Sequence, residues 1–293
     1  MSRIDKIIET ELESTLDEID IQTKERLFKN IKTSIDFKEH KQPISITIRV
    51  LRWTAILLLP LVSSIVTYYI VSSNINKESA PVTFSTGYGE RANITLPDGS
   101  HVWLNSGTSV TLNSSFNKRE RTLQLNGEAY FEVAEDARKP FIVQANDITV
   151  EALGTSFNVT AYKDDSFVSS VLIDGSIRVS ADGQERILKE NHRATYYKEG
   201  RKLATDAVLA SDYILWKEGY LYFESSSFED IAKQISRMFN VKIEFTSDNL
   251  RSIRFTGTLG NSSIKNVLDI LSLTSPMYYE MNGTTVELYY RES

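Results

Sequence analysis

The stretch TAILLLPLVSSIVTYYIVSS (residues 54–73) is the centre of an apolar run, Trp53–Asn76, that contains no charged residue. About 20 helical residues at ~1.5 Å each cover the ~30 Å hydrocarbon core of a bilayer. The run therefore predicts a transmembrane helix over residues 53–76 rather than a buried core helix. It separates a short N-terminal part, residues 1–52, from a long C-terminal part.

The flanking charges predict the orientation of this helix. The 20 residues before it contain four basic residues, and the 20 after it contain two. An excess of Lys and Arg favours the cytoplasmic side, so the N-terminus is expected inside. Because 52 residues precede the run, it is interpreted as an uncleaved anchor and not as a signal peptide.

Composition excludes two classes of function. The net charge of −6 argues against a nucleic-acid-binding protein, which would carry a basic surface. Residues 1–52 contain ten basic and ten acidic side chains, so the negative charge belongs to residues 53–293. The chain has no cysteine, so the outer part is not held by disulfides and no thiol chemistry is available.

Residues 1–52 predict two amphipathic helices. Apolar residues recur at three- and four-residue steps before residue 20 and again after a candidate cap at Thr23. Two such helices bury little against each other, so they form either a small hairpin near the membrane or a stripe that another protein completes. We favour the second interpretation. The candidate contact residues are Ile4, Ile8, Leu12, Leu16, Leu27 and Ile31.

Residues 82–185 predict an all-β domain. Apolar and polar residues alternate along short segments, and turn signals such as Pro97-Asp98-Gly99 separate them at 8–12-residue spacing. This pattern is typical of a sandwich or a roll. Residues 180–212 are interpreted as the last strands and a polar connector, with the connector over residues 186–212.

Residues 213–293 predict a small α+β domain. Two strand–helix–strand units follow each other, and Ser227 with Asp230 forms a candidate capping box before the first helix. The second unit repeats the first at an offset of 36 residues, with Ser263 before its helix. The apolar face Phe228, Ile231, Ala232 and Ile235 corresponds to Ile264, Val267, Leu268 and Leu271.

The sequence predicts neither an enzyme active site nor a cofactor or metal site. The three histidines, His40, His101 and His192, lie in unrelated segments, whereas metal ligands cluster at motif spacing. Glu128 and Glu132 share a strand face, but four strand residues separate them by ~13 Å, beyond the ~5–9.5 Å of glycosidase pairs. A glycan hydrolase would need a second carboxylate from another strand.

The dipeptide Gly154-Thr155 carries one candidate reaction. The Thr155 hydroxyl lies beside a peptide carbonyl that no side chain shields, so a strained turn would allow an N-to-O acyl shift followed by hydrolysis. The alternative is an ordinary β-turn with Gly154 in the left-handed conformation. From chemistry alone, the alternative is the simpler interpretation.

Five motifs in order, TLPDGSHVWLNSGTSV, LNGEAYFEV, KPFIV, EALGTSFNVTAY and DGSIRV, resemble the FecR family of single-span anti-sigma regulators. The segment beginning LWKEGYLYF is similar to the C-terminal domain of FecR-type proteins in Bacteroidetes-like bacteria, which resembles the short N-terminal domain of secretins and TonB-dependent receptors. The resemblance covers roughly residues 82–289. The first 52 residues match weakly and are shorter than the helical anti-sigma domain of many members.

The resemblance implies an inner-membrane protein for cell-surface signalling, with its C-terminal domains in the periplasm. Residues 1–52 would hold an extracytoplasmic-function sigma factor and so regulate transcription. The periplasmic domains would meet the signalling domain of a ligand-loaded TonB-dependent outer-membrane receptor. Some members cut themselves at a Gly-Thr bond in an LGT motif, which Gly154 and Thr155 match, and an intramembrane protease would then release the N-terminal segment. The alternative is a membrane-anchored periplasmic binding or assembly module that regulates no sigma factor.

Overall fold

The computed structural model describes residues 20–36, 46–75, 80–260 and 263–291. The chain forms two compact units, Met1–Lys77 and Glu78–Ser293. The first unit is helical where it is described. The second contains an all-β part and an α+β part, each with its own hydrophobic core, so the expected fold classes are confirmed for these two regions.

The first unit contains two described helices, α1 (Ile21–Asp36) and α2 (Ile46–Ile75). Helix α1 begins two residues before Thr23, since the Asp20 carbonyl already accepts hydrogen bonds from Thr23 N and Lys24 N. Helix α2 includes nearly all of the expected span and begins seven residues earlier. Its described apolar side chains are exposed, and the helix is long and apolar enough to cross a membrane.

Thirteen strands form the β part of the second unit. They are β1 (Val82–Ser85), β2 (Ala92–Thr95), β3 (His101–Leu104), β4 (Ser109–Leu112), β5 (Arg121–Glu132), β6 (Phe141–Ala145), β7 (Ile148–Ala152), β8 (Ser156–Ala161), β9 (Phe167–Asp174), β10 (Ile177–Ala181), β11 (Gln184–Leu188), β12 (His192–Tyr197) and β13 (Lys202–Ala207).

The long strand β5 belongs to two sheets. Its first half pairs with β4 and β6, and its second half pairs with β3 and β8. The first sheet continues through β7 and β10 to β11, and the second continues through β9 and β12 to β13. The rings of Phe131, Phe141 and Phe157 meet in the core that these strands enclose.

Gly127 allows β5 to pass from one sheet to the other. Its φ is +115°, and a Cβ there would lie 2.5 Å from Oγ1 and 2.6 Å from Cα of Thr108. A glycine inside a strand often marks such a bend or a close backbone approach. Thr108 uses the contact, because its Oγ1 accepts from Glu128 N and donates to Glu128 O.

The segment expected as a connector, residues 186–212, differs from that expectation. It holds β12 and β13, and β12 pairs with β9 over six residues. Ala194, Tyr196 and Leu203 are buried in the core, although charged residues surround them in the sequence and hide the alternation. The connection proper is a 3₁₀-helix, Ala210–Glu218, which ends at Gly219 in the left-handed conformation.

The α+β part follows the 3₁₀-helix. Its elements are β14 (Tyr220–Ser227), α3 (Phe228–Phe239), β15 (Lys242–Phe245), α4 (Asp248–Arg251), β16 (Arg254–Gly260), α5 (Ile264–Thr274), β17 (Met277–Asn282) and β18 (Thr285–Tyr290). Strands β14 and β16 form one antiparallel pair, and β15, β18 and β17 form a three-stranded sheet in that order.

The two predicted helix starts are confirmed. Ser227 Oγ accepts a hydrogen bond from Asp230 N at 3.1 Å and donates one to the Asp230 carboxylate at 2.6 Å. Ser263 Oγ accepts from Asn266 N at 3.1 Å. The repeated faces of α3 and α5 are buried or packed against one core, except that Ala232 is buried outside this core. The internal repeat therefore predicted which side of each helix is covered.

Candidate functional site

The Gly154-Thr155 bond lies in the turn between β7 and β8. The segment after β5 holds this turn: Val133 N donates to Thr155 O at 3.0 Å, and Asp136 N donates to Leu153 O at 3.2 Å. Two backbone hydrogen bonds therefore fix the carbonyl groups on either side of the Gly154 carbonyl.

Gly154 is required by close packing and not by an unusual φ. It is not among the residues with positive φ, so the alternative of a left-handed glycine is wrong. A Cβ at this position would lie 2.6 Å from Cγ and 3.1 Å from Cα of Glu135. Any larger residue would push the turn away from Glu135.

Thr155 is buried, with 6% of its surface exposed. Its Oγ1 makes no hydrogen bond to any part of the chain that the structure describes. Leaving a buried hydroxyl unpaired costs about 1–3 kcal/mol, so such groups are rare in native structures. The hydroxyl is thus buried, without a partner among the described residues, and next in sequence to a glycine carbonyl that carries no side chain.

Glu128 is a half-buried carboxyl group of the β part with three side-chain hydrogen-bond donors. It accepts hydrogen bonds from Asn105 Nδ2 at 2.7 Å, Asn158 Nδ2 at 2.9 Å and Thr160 Oγ1 at 3.0 Å. Burial raises the pKa of Glu128, and these three hydrogen bonds only partly oppose that effect. Glu132 lies four residues further along β5 than Glu128, and it pairs with Ser156 of β8.

The side-chain amide of Asn158, which donates to Glu128, also contacts the 3₁₀-helix. Asn158 Oδ1 accepts a hydrogen bond from Trp216 Nε1 at 3.2 Å. One residue further, the ammonium of Lys217 lies 3.8 Å from the ring centre of Tyr130 and 4.3 Å from that of Trp103. Arg193 of β12 adds a hydrogen bond to the Tyr213 hydroxyl at 2.6 Å and lies 5.2 Å from the centre of its ring, so several polar and cation–π contacts hold the 3₁₀-helix on the β part.

Arg237 on α3 forms a second joint between the β part and the α+β part. Its guanidinium donates to both carboxylate oxygens of Asp165, at 2.9 and 3.2 Å, and approaches Asp164 at 3.3 Å. The guanidinium carbon also lies 3.7 Å from the centre of the Tyr162 ring. The backbone carbonyl of Arg237 accepts a hydrogen bond from Gly89 N at 2.8 Å. The side chains of Arg237 and Asp165 are 5% and 8% exposed, so this pair is almost dry.

A cavity of about 330 Å³ lies between these joints. The β part contributes Glu128, Asp165 and Arg193 to its wall, and the α+β part contributes Glu224 and Arg237. Arg193 is already paired with Glu224 at 3.3 Å. The charged groups of the wall are thus largely committed to one another.

The candidate sigma-factor contacts are only partly described. Ile4, Ile8, Leu12 and Leu16 lie outside the described residues. Leu27 and Ile31 lie one helical turn apart on α1; Leu27 is 46% exposed, and Ile31 is half-buried. Phe28 beside them is also exposed, so the described helix presents an apolar face.

The described histidines each have a local partner. His101 Nδ1 lies 3.1 Å from Thr95 Oγ1, and His192 Nδ1 lies 3.0 Å from the Glu190 carbonyl. His40 lies outside the described residues. Among the residues that are described, no three His, Asp or Glu side chains are grouped to hold a metal ion.

Sequence reasoning missed the Arg237 joint and the 3₁₀-helix contacts. Arg237 and Asp165 are 72 residues apart, and nothing local indicates that they meet. No local signal indicates this joint, because Arg237 lies on the face of α3 opposite its apolar residues, where a charged side chain is ordinarily solvated.

Known proteins share both parts of the second unit. The family model described as FecR protein matches residues 82–178, and the model described as FecR, C-terminal matches residues 220–288. Two crystal structures of a proposed anti-sigma factor from Parabacteroides distasonis ATCC 8503 are similar, each with a TM-score of 0.69 and 28% sequence identity. The similarity covers 72% and 73% of this chain and 100% of each solved chain. No curated protein matches the sequence.

Proposed function

Because the chain belongs to the FecR family, we propose that it is a transmembrane anti-sigma factor. It holds an extracytoplasmic-function sigma factor in the cytoplasm and receives a signal in the periplasm from a ligand-loaded TonB-dependent outer-membrane receptor. The observation that carries this proposal is the match of both FecR segments, on the C-terminal side of a helix able to cross a membrane.

The proposed location is the inner membrane, with a single pass and a cytoplasmic N-terminus. Support comes from the exposed apolar surface of α2, which water would not favour, and from the excess of basic residues before it. Residues 78–293 then lie in the periplasm, where the receptor is accessible.

The sigma factor is proposed to bind the apolar stripe of residues 1–52. Leu27 and Phe28, with the half-buried Ile31, supply an apolar face on α1, which suits the helix-in-groove mode of recognition. The residues Ile4, Ile8, Leu12 and Leu16 extend the proposed stripe toward the N-terminus.

Co-expression of the full chain with each extracytoplasmic-function sigma factor of the host tests this role. A specific complex is expected with one of them. Leu27→Asp should break the complex, because a carboxylate cannot enter an apolar groove without a large desolvation cost. Thr33→Asp is the matched control, since it adds the same charge on the opposite face of α1. Equal binding by the two variants would contradict the proposal that the sigma factor binds the apolar stripe.

The receptor is proposed to dock at the outer edge of β17. Within the described sheet this strand pairs only with β18, so its other edge is open for strand addition. Tyr278 and Met281 are exposed on the same strand and offer contacts to side chains of an added strand. Calorimetry with residues 78–293 and the receptor's signalling domain would test this contact, and the absence of heat would contradict it.

Self-cleavage at Gly154-Thr155 is the proposed output step. Thr155 Oγ1 attacks the Gly154 carbonyl carbon, its proton passes to the Thr155 nitrogen, and the carbon–nitrogen bond breaks to leave an ester and a free amine. Water then hydrolyses the ester to a Gly154 carboxylate and restores the Thr155 hydroxyl. Support comes from the unpaired Oγ1 of Thr155. Cleavage by an intramembrane protease would afterwards free residues 1–52 with the sigma factor.

A blot of the full chain tagged at both ends tests the cleavage. Two fragments are expected for the wild type and only the intact chain for Thr155→Val, which keeps the shape but removes the nucleophile. Fragments of unchanged size in Thr155→Val would place the cut elsewhere.

The second candidate function is a membrane-anchored periplasmic binding or assembly module. The cavity of about 330 Å³ between the two parts favours it, since small ligands bind in such clefts. Deletion of residues 1–45 separates the two functions. The module would leave transcription unchanged, whereas loss of an anti-sigma segment would change it.

A further inference from the structure

The turn that joins β9 to β10 approaches the Gly154-Thr155 bond from a second side. Gly175 in this turn has a φ of +92°. A Cβ on Gly175 would lie 2.7 Å from Cγ2 of Thr155, 3.2 Å from its Cβ and 3.2 Å from the Gly154 carbonyl oxygen. Glycine is therefore needed here for its backbone conformation and, independently, for the space that it leaves.

The space beside Gly175 controls the orientation of the Thr155 side chain. Threonine carries its methyl group and its hydroxyl on the same Cβ, so the staggered position of the methyl group also determines the position of the hydroxyl. The methyl group points toward Gly175, and Oγ1 is left without a hydrogen-bond partner among the described residues. A side chain at position 175 would force the methyl group away and turn the hydroxyl with it.

The bond is thus confined between two chain segments. Glu135 packs against Gly154 at a distance that only glycine allows, and Gly175 packs against Thr155 and the Gly154 carbonyl oxygen. The hydrogen bonds from Val133 N and Asp136 N hold the turn against the first of these segments. Gly175 belongs to the other segment, which none of these hydrogen bonds reaches.

We propose that Gly175 is a positioning residue for cleavage of the Gly154-Thr155 bond. It leaves the space that holds the Thr155 methyl group and so directs Oγ1 toward the adjacent carbonyl carbon. The inference rests on the proposed self-cleavage and adds a residue 20 positions away from the reacting threonine. Gly175 itself takes no part in bond making or breaking.

The test compares alanine substitutions at two glycines with positive φ in the full-length, doubly tagged chain. Gly175→Ala should slow the appearance of the two fragments by about tenfold or more, since small misplacements of reacting groups carry penalties of that order. Gly183→Ala is the matched control, because Gly183 has a φ of +73° and no atom within 4 Å of its added Cβ. It imposes similar backbone strain without filling the space at Thr155.

A double variant separates positioning from loss of folding. Thr155→Ser removes the methyl group that an alanine at 175 would strike, yet keeps the hydroxyl. Gly175→Ala combined with Thr155→Ser should therefore cleave faster than Gly175→Ala alone, although more slowly than Thr155→Ser alone. Trypsin resistance of residues 78–293 in each variant reports whether the unit is folded.

The outcomes distinguish the inference from the function on which it rests. An intact wild-type chain would overturn the proposed self-cleavage and, with it, the role of Gly175. Cleavage of the wild type and Gly175→Ala at equal rates would overturn the role of Gly175 alone. So would equal slowing in Gly183→Ala, or the absence of any gain from Thr155→Ser.

Discussion

Arg237 and Thr155 are buried to almost the same degree, with 4% and 6% of their surfaces exposed. Arg237 is paired with two aspartates, and its guanidinium lies over the ring of Tyr162. Thr155 leaves its hydroxyl unpaired among the described residues. The paired group at Arg237 holds two parts of the protein together, whereas the unpaired hydroxyl at Thr155, like that of Ser170, lowers stability.

The largest expected effect follows removal of the satisfied group. Arg237→Met should lower the free energy of unfolding of residues 78–293 by about 3–5 kcal/mol, because Asp165 would stay buried without a partner. The fragment is a compact unit, so urea denaturation followed by tryptophan fluorescence measures the change. Arg138→Met, which removes an exposed pair with Asp136, is the control and should change little. A loss no greater than in the control would mean that the joint is not dry.

Removal of the unpaired Thr155 hydroxyl should raise the free energy of unfolding instead of lowering it. Thr155→Val replaces a buried, unpaired hydroxyl with a methyl group, so the free energy of unfolding should rise by about 1 kcal/mol. The measurement is urea denaturation against wild-type fragment that mass spectrometry shows to be uncut. A loss of stability would indicate that Oγ1 has a partner and would remove the contrast with Arg237.

Glu128 lies between these two cases, because it is hydrogen-bonded but its charge is disfavoured. Burial raises the pKa of Glu128 in the folded state. Folding then favours the protonated form, so its contribution is fully present below the ordinary carboxyl pKa. That contribution falls as the pH rises toward the raised pKa.

The comparison of wild type with Glu128→Gln measures this contribution. The stability of the wild type relative to Glu128→Gln should fall with rising pH by up to about 1.4 kcal/mol per pH unit. The fall should begin near the ordinary pKa of 4.5 and stop above the raised value. Denaturation curves between pH 4 and 8 give the difference. A difference that does not vary with pH would mean that Glu128 ionises normally.

The smallest effect concerns polar groups at helix ends. Ser227→Ala should cost about 1 kcal/mol, the usual value of a lost N-cap. Ser263→Ala should cost less, because Ser227 also donates to the Asp230 carboxylate whereas Ser263 makes the backbone contact alone among the described residues. Equal losses of stability in the two variants would mean that the hydrogen bond from Ser227 Oγ to the Asp230 carboxylate contributes nothing. Thermal unfolding of residues 78–293 is sensitive enough to rank the two.

Local chemistry made part of this structure predictable. The Pro97-Asp98-Gly99 turn was predicted from residue type, and Gly99 has the expected positive φ of +87° with its N–H bonded to the Leu96 carbonyl. The capped helices α3 and α5 were predictable for the same reason, since caps and apolar faces depend on neighbours three or four residues away.

The features that sequence reasoning missed all depend on distant partners. Strand β12 is buried because β9 pairs with it, and Arg237 is paired because Asp165 meets it from another part of the unit. The dipeptide Gly154-Thr155 was identified as a candidate from its chemistry, but the reason for Gly154 was not, because Glu135 approaches it only in the folded chain. Gly175 belongs to the DGSIRV motif, but its contact with Thr155 was not predictable for the same reason.

The pairing of β5 with β8 determines what a cut at Gly154-Thr155 would leave behind. Strands β1 to β7 would belong to the N-terminal piece and β8 to β18 to the C-terminal piece, yet β5 and β8 share six residue pairs and β7 and β10 share four. No strand pairing is lost with the peptide bond. The two pieces of the nicked protein would therefore stay associated through these strand pairings, and a mechanical pull on the C-terminal piece would load them directly. After cleavage, hydrogen bonds between strands would replace the peptide bond as the connection that carries force between the two pieces.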